Sequence, residues 1–317
     1  MADVKQFIFF DFEMLCSNKG MPFEDMEAIR LGAVKYNIET EDIEFFDRYI
    51  QPTKRVSLSR FCTELTGIKD TDLVGASNFK NVFEDFLTWI GGIKKSRFFS
   101  WSTSDLSRLK IDAVKHEISL ATIKKIDQRY VDFQAIFTKR VSKNNVSVEN
   151  GLALYNLQFE GKKHNPMYDA YNTLRIYLSF LNEPVQSDFI MIKQFILEKV
   201  PQNIKEMKNI KEMNATLRNT IQKDLHIFAE ELNEIYKMKD VVKIIKRTQR
   251  IVKKYENILI NRSGLFSEEN CFYAGLLLDF YHNLLLCYNE HLEYSSKIII
   301  LDESTLHPLN QISLKRG

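Results

Sequence analysis

Residues 6–12 read Gln-Phe-Ile-Phe-Phe-Asp-Phe, an aromatic run that suits a central β-strand, and Asp11 and Glu13 sit at its end. In a strand, residues i and i+2 point to the same face. Asp11 and Glu13 therefore project side by side from an apolar strand, where two unneutralised charges are costly. A divalent cation such as Mg²⁺, which prefers hard oxygen ligands, removes that cost. The competing reading is a strand end where one carboxylate is solvated and the other caps a loop. Any fold for this chain must satisfy one of these conditions.

The rest of the first half alternates strand and helix signals. Ala28–Tyr36 and Ile43–Ile50 are strand candidates joined by a short polar gap, which predicts an antiparallel hairpin. Asn78–Ile90 places Phe79, Val82, Phe83, Phe86, Leu87 and Ile90 on one side of a helix that Gly91 and Gly92 end. Arg97–Trp101 predicts a short buried strand and Leu106–Ile118 a helix. Asn165-Pro166 opens a further helix that runs to about Leu181. Three hairpin-like strands followed by helix–strand alternation predict an α/β domain on a mixed sheet.

The pattern changes after Pro184. Glycine is sparse there, and Leu217, Ile221, Leu225, Phe228, Leu232 and Ile235 form a sustained helical stripe. Val241, Ile245, Thr248, Val252, Tyr255 and Leu259 form a second, and Ser267 is an N-cap candidate for a third helix. These features predict an all-α, three-helix-type bundle, with domains at 1–183 and 184–317. A short repeat, Asn203-Ile-Lys-Glu-Met and Asn209-Ile-Lys-Glu-Met, is too brief for a solenoid unit.

Bulk charge says little about partners, since 44 Lys+Arg against 42 Asp+Glu leave a net charge of +2. The four cysteines form no C-x-x-C pair, which argues against a zinc ribbon or thioredoxin-type site and suits a reducing compartment. Phe7–Phe10 is too short for a signal-peptide core. The apolar run in Cys271–Tyr288 falls short of the ~20 residues that span a bilayer. A soluble cytoplasmic protein without a membrane partner is expected.

Three more residues complete a constellation. Asp105 heads the helix after the fourth strand, Asp169 lies one turn into the helix that starts at Pro166, and His164 precedes Asp169 by five residues. Each alone reads as a capping or surface residue. In order they form strand–Asp-x-Glu, then Ser-Trp-x-x-x-Asp, then His-x-x-x-x-Asp. This series resembles the DEDDh (DnaQ-like) 3′→5′ exonuclease family, nearest its KapD-like and Eri-type branch, over about residues 6–182. Glu27-Ala-Ile-Arg-Leu-Gly-Ala-Val, Leu65-Thr-Gly-Ile, Tyr130-Val-Asp-Phe-Gln and Asp169-Ala-Tyr-Asn are similar to further family segments.

The resemblance implies an RNase H-like mixed sheet flanked by helices, followed here by the helical domain. It implies that Asp11, Glu13, Asp105 and Asp169 hold two Mg²⁺ or Mn²⁺ ions roughly 3.5–4 Å apart. It makes His164 the base that takes a proton from water, a task suited to imidazole near neutral pH. Phe12 and Met14, through their backbone, and the Leu65-Thr66 region would face the terminal nucleotide. Ser104 stands where some relatives carry an aromatic residue that stacks on a base, so nucleotide preference does not carry over. Pro166 and Met167 replace small residues, but the His-to-Asp spacing is intact.

The expected activity is metal-dependent release of nucleoside 5′-monophosphates from the 3′ ends of RNA or single-stranded DNA. The alternative is a regulatory protein-binding module with little turnover. A phosphotransferase or nucleoside triphosphatase is not indicated, because the sequence has no G-x-x-x-x-G-K-[ST] loop. Between Lys237 and Lys254 eight basic residues face one acid, Asp240, which reads as a solvated face or a phosphate-tracking surface. The helical domain is also a candidate for a protein partner or self-association.

Overall fold

The computed structural model describes residues 4–53, 57–197 and 207–314. The chain divides into two compact units, Met1–Lys139 with Asn144–Asn182, and Arg140–Lys143 with Glu183–Gly317.

The first unit opens with β1 (Gln6–Met14), β2 (Ala28–Asn37) and β3 (Ile43–Tyr49), followed by α1 (Arg60–Thr66), α2 (Asp70–Leu73) and α3 (Phe79–Ile90). It continues with β4 (Ser96–Ser100), α4 (Thr103–Lys115), α5 (Leu120–Asp127), β5 (Tyr130–Asp132), α6 (Phe133–Phe137), α7 (Val148–Leu154) and α8 (Pro166–Asn182). The five strands form one sheet in the order β3-β2-β1-β4-β5. β1–β2 and β2–β3 are antiparallel, while β1–β4 and β4–β5 are parallel. The predicted hairpin and mixed sheet are both present.

β1 is central and buried on both faces. Ile8, Phe10 and Phe12 join the core formed with α3 and α4. α3 belongs there because its apolar residues repeat at helical spacing, with Phe79, Val82, Phe83, Phe86 and Ile90 all buried. Asn78 caps its start by accepting from the Asn81 N–H, and Gly91 ends it at φ 73, where a side chain would be strained.

The other face of β1 belongs to α8. The Phe7, Phe9 and Phe99 rings lie 4.7–5.4 Å from the Tyr177 ring of α8. Phe133 closes this cluster, 5.2 Å from Tyr177. α8 starts on Asn165, whose side chain accepts from the Met167 and Tyr168 N–H groups. Its first turn lies directly on Gly32 of β2. A Cβ built at Gly32 would stand 1.9 Å from the Met167 nitrogen and 2.2 Å from the Pro166 carbonyl carbon. Only glycine permits this approach.

The second unit contains α9 (Pro184–Phe195), α10 (Met207–Glu230), β6 (Ile235–Lys237), α11 (Met238–Tyr255), α12 (Glu268–Glu293), β7 (Ile298–Ile300) and α13 (Glu303–Leu314). α10, α11 and α12 supply most of its core, including Leu217, Ile221, Leu225, Phe228, Val252, Tyr255, Leu277 and Phe280. Ser267 caps α12 by accepting from the Asn270 N–H. The all-α expectation needs one correction, because β6 and β7 pair as an antiparallel two-stranded ribbon. The helical stripe assigned through Leu232 and Ile235 ends at Glu230, and Ile235 passes to β6. Three-residue strands are too short to show a period of two, which is why Ile235 reads from sequence as part of a helical stripe. The first copy of the short repeat falls on residues 203–207, of which 203–206 lie outside the described residues, as does Pro201. No described helix is long and apolar enough to cross a membrane.

Gly32→Ala should destabilise the protein by about 1–3 kcal/mol or more, because backbone atoms of α8 cannot yield as a flexible side chain would. Gly92→Ala is the control, since nothing lies within 4 Å of its Cβ position. Equal melting temperatures for both variants would contradict the close approach of β2 and α8.

Candidate active site

Register brings the carboxylates together. Asp11 and Glu13 lie on the α8 face of β1, continuing the row of Phe7 and Phe9. From Tyr177 back to Asp169 is eight helical residues, a rise of about 12 Å. From Phe7 to Asp11, or from Phe9 to Glu13, is four strand residues, about 13 Å. α8 therefore runs back along β1, and the stacking at one end places Asp169 beside the two strand acids at the other. One carboxylate oxygen from each of Asp11, Glu13 and Asp169 lies within 4.8 Å of the others.

Asp105 enters from another direction. Ser102 caps α4, and Asp105 in its first turn is buried at 3% exposure. The parallel pairing of β1 with β4 ends at Phe9 and Phe99. Beyond that point the Phe12 N–H donates to Asp105 Oδ1 at 3.1 Å. The Asp105 carboxyl also shares a hydrogen bond with that of Asp11. The four predicted acids are thus assembled.

Their electrostatics follow from burial and mutual repulsion. Burial, then Asp105, Asp169 and Glu13, push the Asp11 carboxyl well above the usual range. Burial and Asp169 raise Glu13 to about 8, opposed by Arg30. Burial raises Asp105 to about 7, against the hydrogen bond from Phe12. Burial and Glu149 raise Asp169 to about 7, against the backbone N–H of His164, which binds its carboxylate. Arg30 lies opposite Glu13 in the ladder but is engaged by Asp47 through hydrogen bonds of 2.7 and 2.6 Å. A set of hard oxygen donors that resist ionisation together fits divalent cations such as Mg²⁺ or Mn²⁺.

His164 occupies the exposed turn before α8, at φ 57, a left-handed conformation that His visits more readily than most residues. Its backbone touches the cluster through Asp169 and its imidazole faces solvent. Phe12 and Met14 flank the acids by their backbones, while their side chains pack into the opposite core. The Phe12 N–H is already bound to Asp105. α1 is tied to the end of β1, where Ser59 Oγ donates to the Cys16 carbonyl at 2.7 Å. Leu65 on α1 is exposed, whereas Thr66 is buried, its hydroxyl donating to the Cys62 carbonyl and accepting from the Ile68 N–H. Ser104 is locked to the Ser102 hydroxyl at 2.5 Å. Two positioning residues lie in segments that resemble the family, but the sequence alone gives them no role of their own. One is Gly32. The other is Asn172, whose buried amide joins α8 to the Glu160 backbone through bonds of 2.8 and 3.1 Å.

The sequence profile of the RNase_T exonuclease family matches residues 8–177, more than half of the 317. The chain belongs to that exonuclease family. Among curated relatives, mouse ERI1 exoribonuclease 2 is 27% identical over 182 residues, covering 51% of this chain and 26% of its own. The 3'-5' exonuclease Snipper of Drosophila melanogaster is 28% identical over 184 residues, covering 51% of this chain and 64% of its own. The matched stretch thus covers less than two thirds of either relative. The solved nuclease domain of 3'hExo, a DEDDh family member bound to rAMP, superposes with a TM-score of 0.52 at 21% identity, covering 59% of this chain and 97% of its own. That likeness establishes the RNase H-like fold of the exonuclease unit.

Carboxyls raised in this way predict a specific pH response of the metal-free protein. Unfolded Asp and Glu titrate near 4. Because the folded values are higher, the folded state binds more protons between these limits. The contribution of these carboxyls to stability is then fully present below about pH 4 and is lost as pH rises through about 7–8. Melting temperature should fall between pH 5 and 8.5 without divalent cations. Mn²⁺ should restore it strongly at pH 8 and weakly at pH 5. A flat profile, or a metal effect of equal size at both pH values, would remove the cluster as a cation site.

Proposed function

We propose that this chain is a 3′→5′ exonuclease that removes nucleoside 5′-monophosphates from RNA or single-stranded DNA. The observation that carries the reading is the convergence of Asp11, Glu13, Asp105 and Asp169 at one end of β1 in a chain of the exonuclease family. The names of relatives, exoribonuclease and 3'-5' exonuclease, support the direction of attack and favour RNA.

In this reading the four carboxylates hold two divalent cations, which when bound supply Lewis-acid stabilisation of the charge that develops on the phosphodiester and a lowered pKa for water. The carboxylates would fix the position of those cations, whose charge offsets that of the terminal phosphate. An imidazole nitrogen of His164 takes one proton from a water molecule. The water oxygen bonds to phosphorus, and the bond from phosphorus to the 3′ oxygen of the preceding nucleotide breaks. That oxygen takes up a proton from solvent, and the 5′-phosphate leaves on the released nucleoside. The His164 loop suits a mobile base, being exposed and joined to the cluster only by its backbone N–H among the described contacts.

The test uses 5′-labelled RNA and DNA strands of matched sequence. A ladder that shortens from the 3′ end, with 5′-monophosphate product and dependence on added Mg²⁺ or Mn²⁺, is expected. Asp11→Asn should abolish it. His164→Asn keeps the backbone N–H and tolerates the left-handed conformation. It should lower kcat by about 10²–10⁴ while the Mn²⁺-induced rise in melting temperature persists. Wild-type turnover in Asp11→Asn, or release of 3′-phosphate products, would refute the mechanism.

A further inference from the structure

The second unit contains a basic cleft of about 590 Å³, to which Lys143, Lys193, Arg250, Lys253 and Lys254 all contribute, with Phe195 in its lining. Every one of these residues belongs to that unit. Arg250, Lys253 and Lys254 share one face of α11 by their i, i+3 and i+4 spacing. Lys193 comes from the last turn of α9. Lys143 lies at φ 64 in the segment that joins this unit from earlier in the chain.

Other basic residues of α11 are already engaged. Arg247 pairs with Glu231 and lies over the Phe228 ring, and Lys243 pairs with Asp240. Within the cleft, Lys254 pairs with Asp224 at 2.6 Å. Lys143, Arg250 and Lys253 have no carboxylate partner among the described residues. Like charges that converge on a concavity without counter-charges repel one another, and a polyanion relieves that repulsion. Phe195 and Ile196, partly exposed beside the cations, offer a surface for a base or a ribose.

We propose that this cleft is a second nucleic-acid site, separate from the carboxylate cluster, which takes the phosphodiester backbone of a single strand of RNA or DNA. It rests on the exonuclease reading for its substrate class. Its cations would release counterions as they take up phosphates.

The experiment uses the full chain carrying Asp11→Asn, so that strands are bound but not degraded. Affinity for fluorescent RNA and DNA strands of about 12 nucleotides is measured by anisotropy across salt concentrations. Adding Lys143→Glu, Arg250→Glu and Lys253→Glu should weaken binding roughly tenfold or more and flatten the salt dependence by about two to three units of slope. Lys239→Glu with Lys246→Glu, on exposed positions of α11 outside the cleft, should leave both nearly unchanged. If the triple charge reversal unfolds the protein, Arg250→Gln with Lys253→Gln gives the same comparison with a smaller effect. Unchanged affinity and slope would overturn the site. Equal loss in the control pair would overturn it too, by showing that diffuse charge does the binding. Loss of poly-glutamate binding with strand binding intact would overturn it in favour of an acidic protein. A wild-type chain without turnover would remove the exonuclease reading, while the affinity measurement would still decide the cleft.

Discussion

Ionised carboxylates whose oxygens lie within 4.8 Å of one another repel by roughly 3–4 kcal/mol per pair at an effective dielectric near 20. The fold of the first unit holds such groups together against that force. The opposing contribution comes from the aromatic cluster of Phe7, Phe9, Phe99, Phe133 and Tyr177, farther along the same strand and helix. Each largely buried aromatic side chain contributes about 2–3 kcal/mol, so the cluster is of the same order as the repulsion it works against. Gly32 lets the first turn of α8 settle on the sheet, and Asp169 arrives beside Asp11 and Glu13 as a consequence.

The groups around the acids keep the charge unneutralised. Arg30, the cation opposite Glu13, is bound to Asp47 in a two-point contact. Asp105 is satisfied by a backbone N–H and by Asp11, neither of which supplies a full positive charge. Farther from the site, Arg108 and Asp112 form a buried ion pair at 2.9 Å. Arg108 donates to the Phe23 and Met26 carbonyls and Asp112 accepts from the Ala28 N–H, which sets the entry into β2 and hence the position of Gly32. Charge is matched where it supports the scaffold and left unmatched among the four acids. The second unit shows the same division with opposite sign, pairing Arg247 and Lys243 but, among the described residues, neither Arg250 nor Lys253.

Local signals served well where they depend on periodicity or a cap. The helix Phe79–Ile90, the hairpin of β2 and β3 and the start of α12 at Ser267 all have such signals. The ribbon of β6 and β7 had none, because its partners are about sixty residues apart and each strand is only three residues long. The basic residues of α11 looked uniform in sequence. Which are paired depends on Asp224 and Glu231, and which are joined by Lys143 and Lys193 depends on how distant segments pack.

Residue types and their order determined by themselves that this chain carries an exonuclease domain with four acids and a histidine at family spacing. The side-by-side placement of Asp11 and Glu13 also needed no more than the period of a strand. Tertiary structure alone decided the rest. It set Asp105 on the Phe12 N–H, bound the His164 backbone to Asp169, and directed the Phe12 and Met14 side chains into the core. It also gave Gly32 its importance, since a glycine in a strand has no meaning until another backbone lies against it. The physical reason is that carboxylates separated by more than ninety residues meet only through the register of strand against strand and helix against sheet. That register is set by aromatic packing remote from the acids, which no local pattern at the acids records.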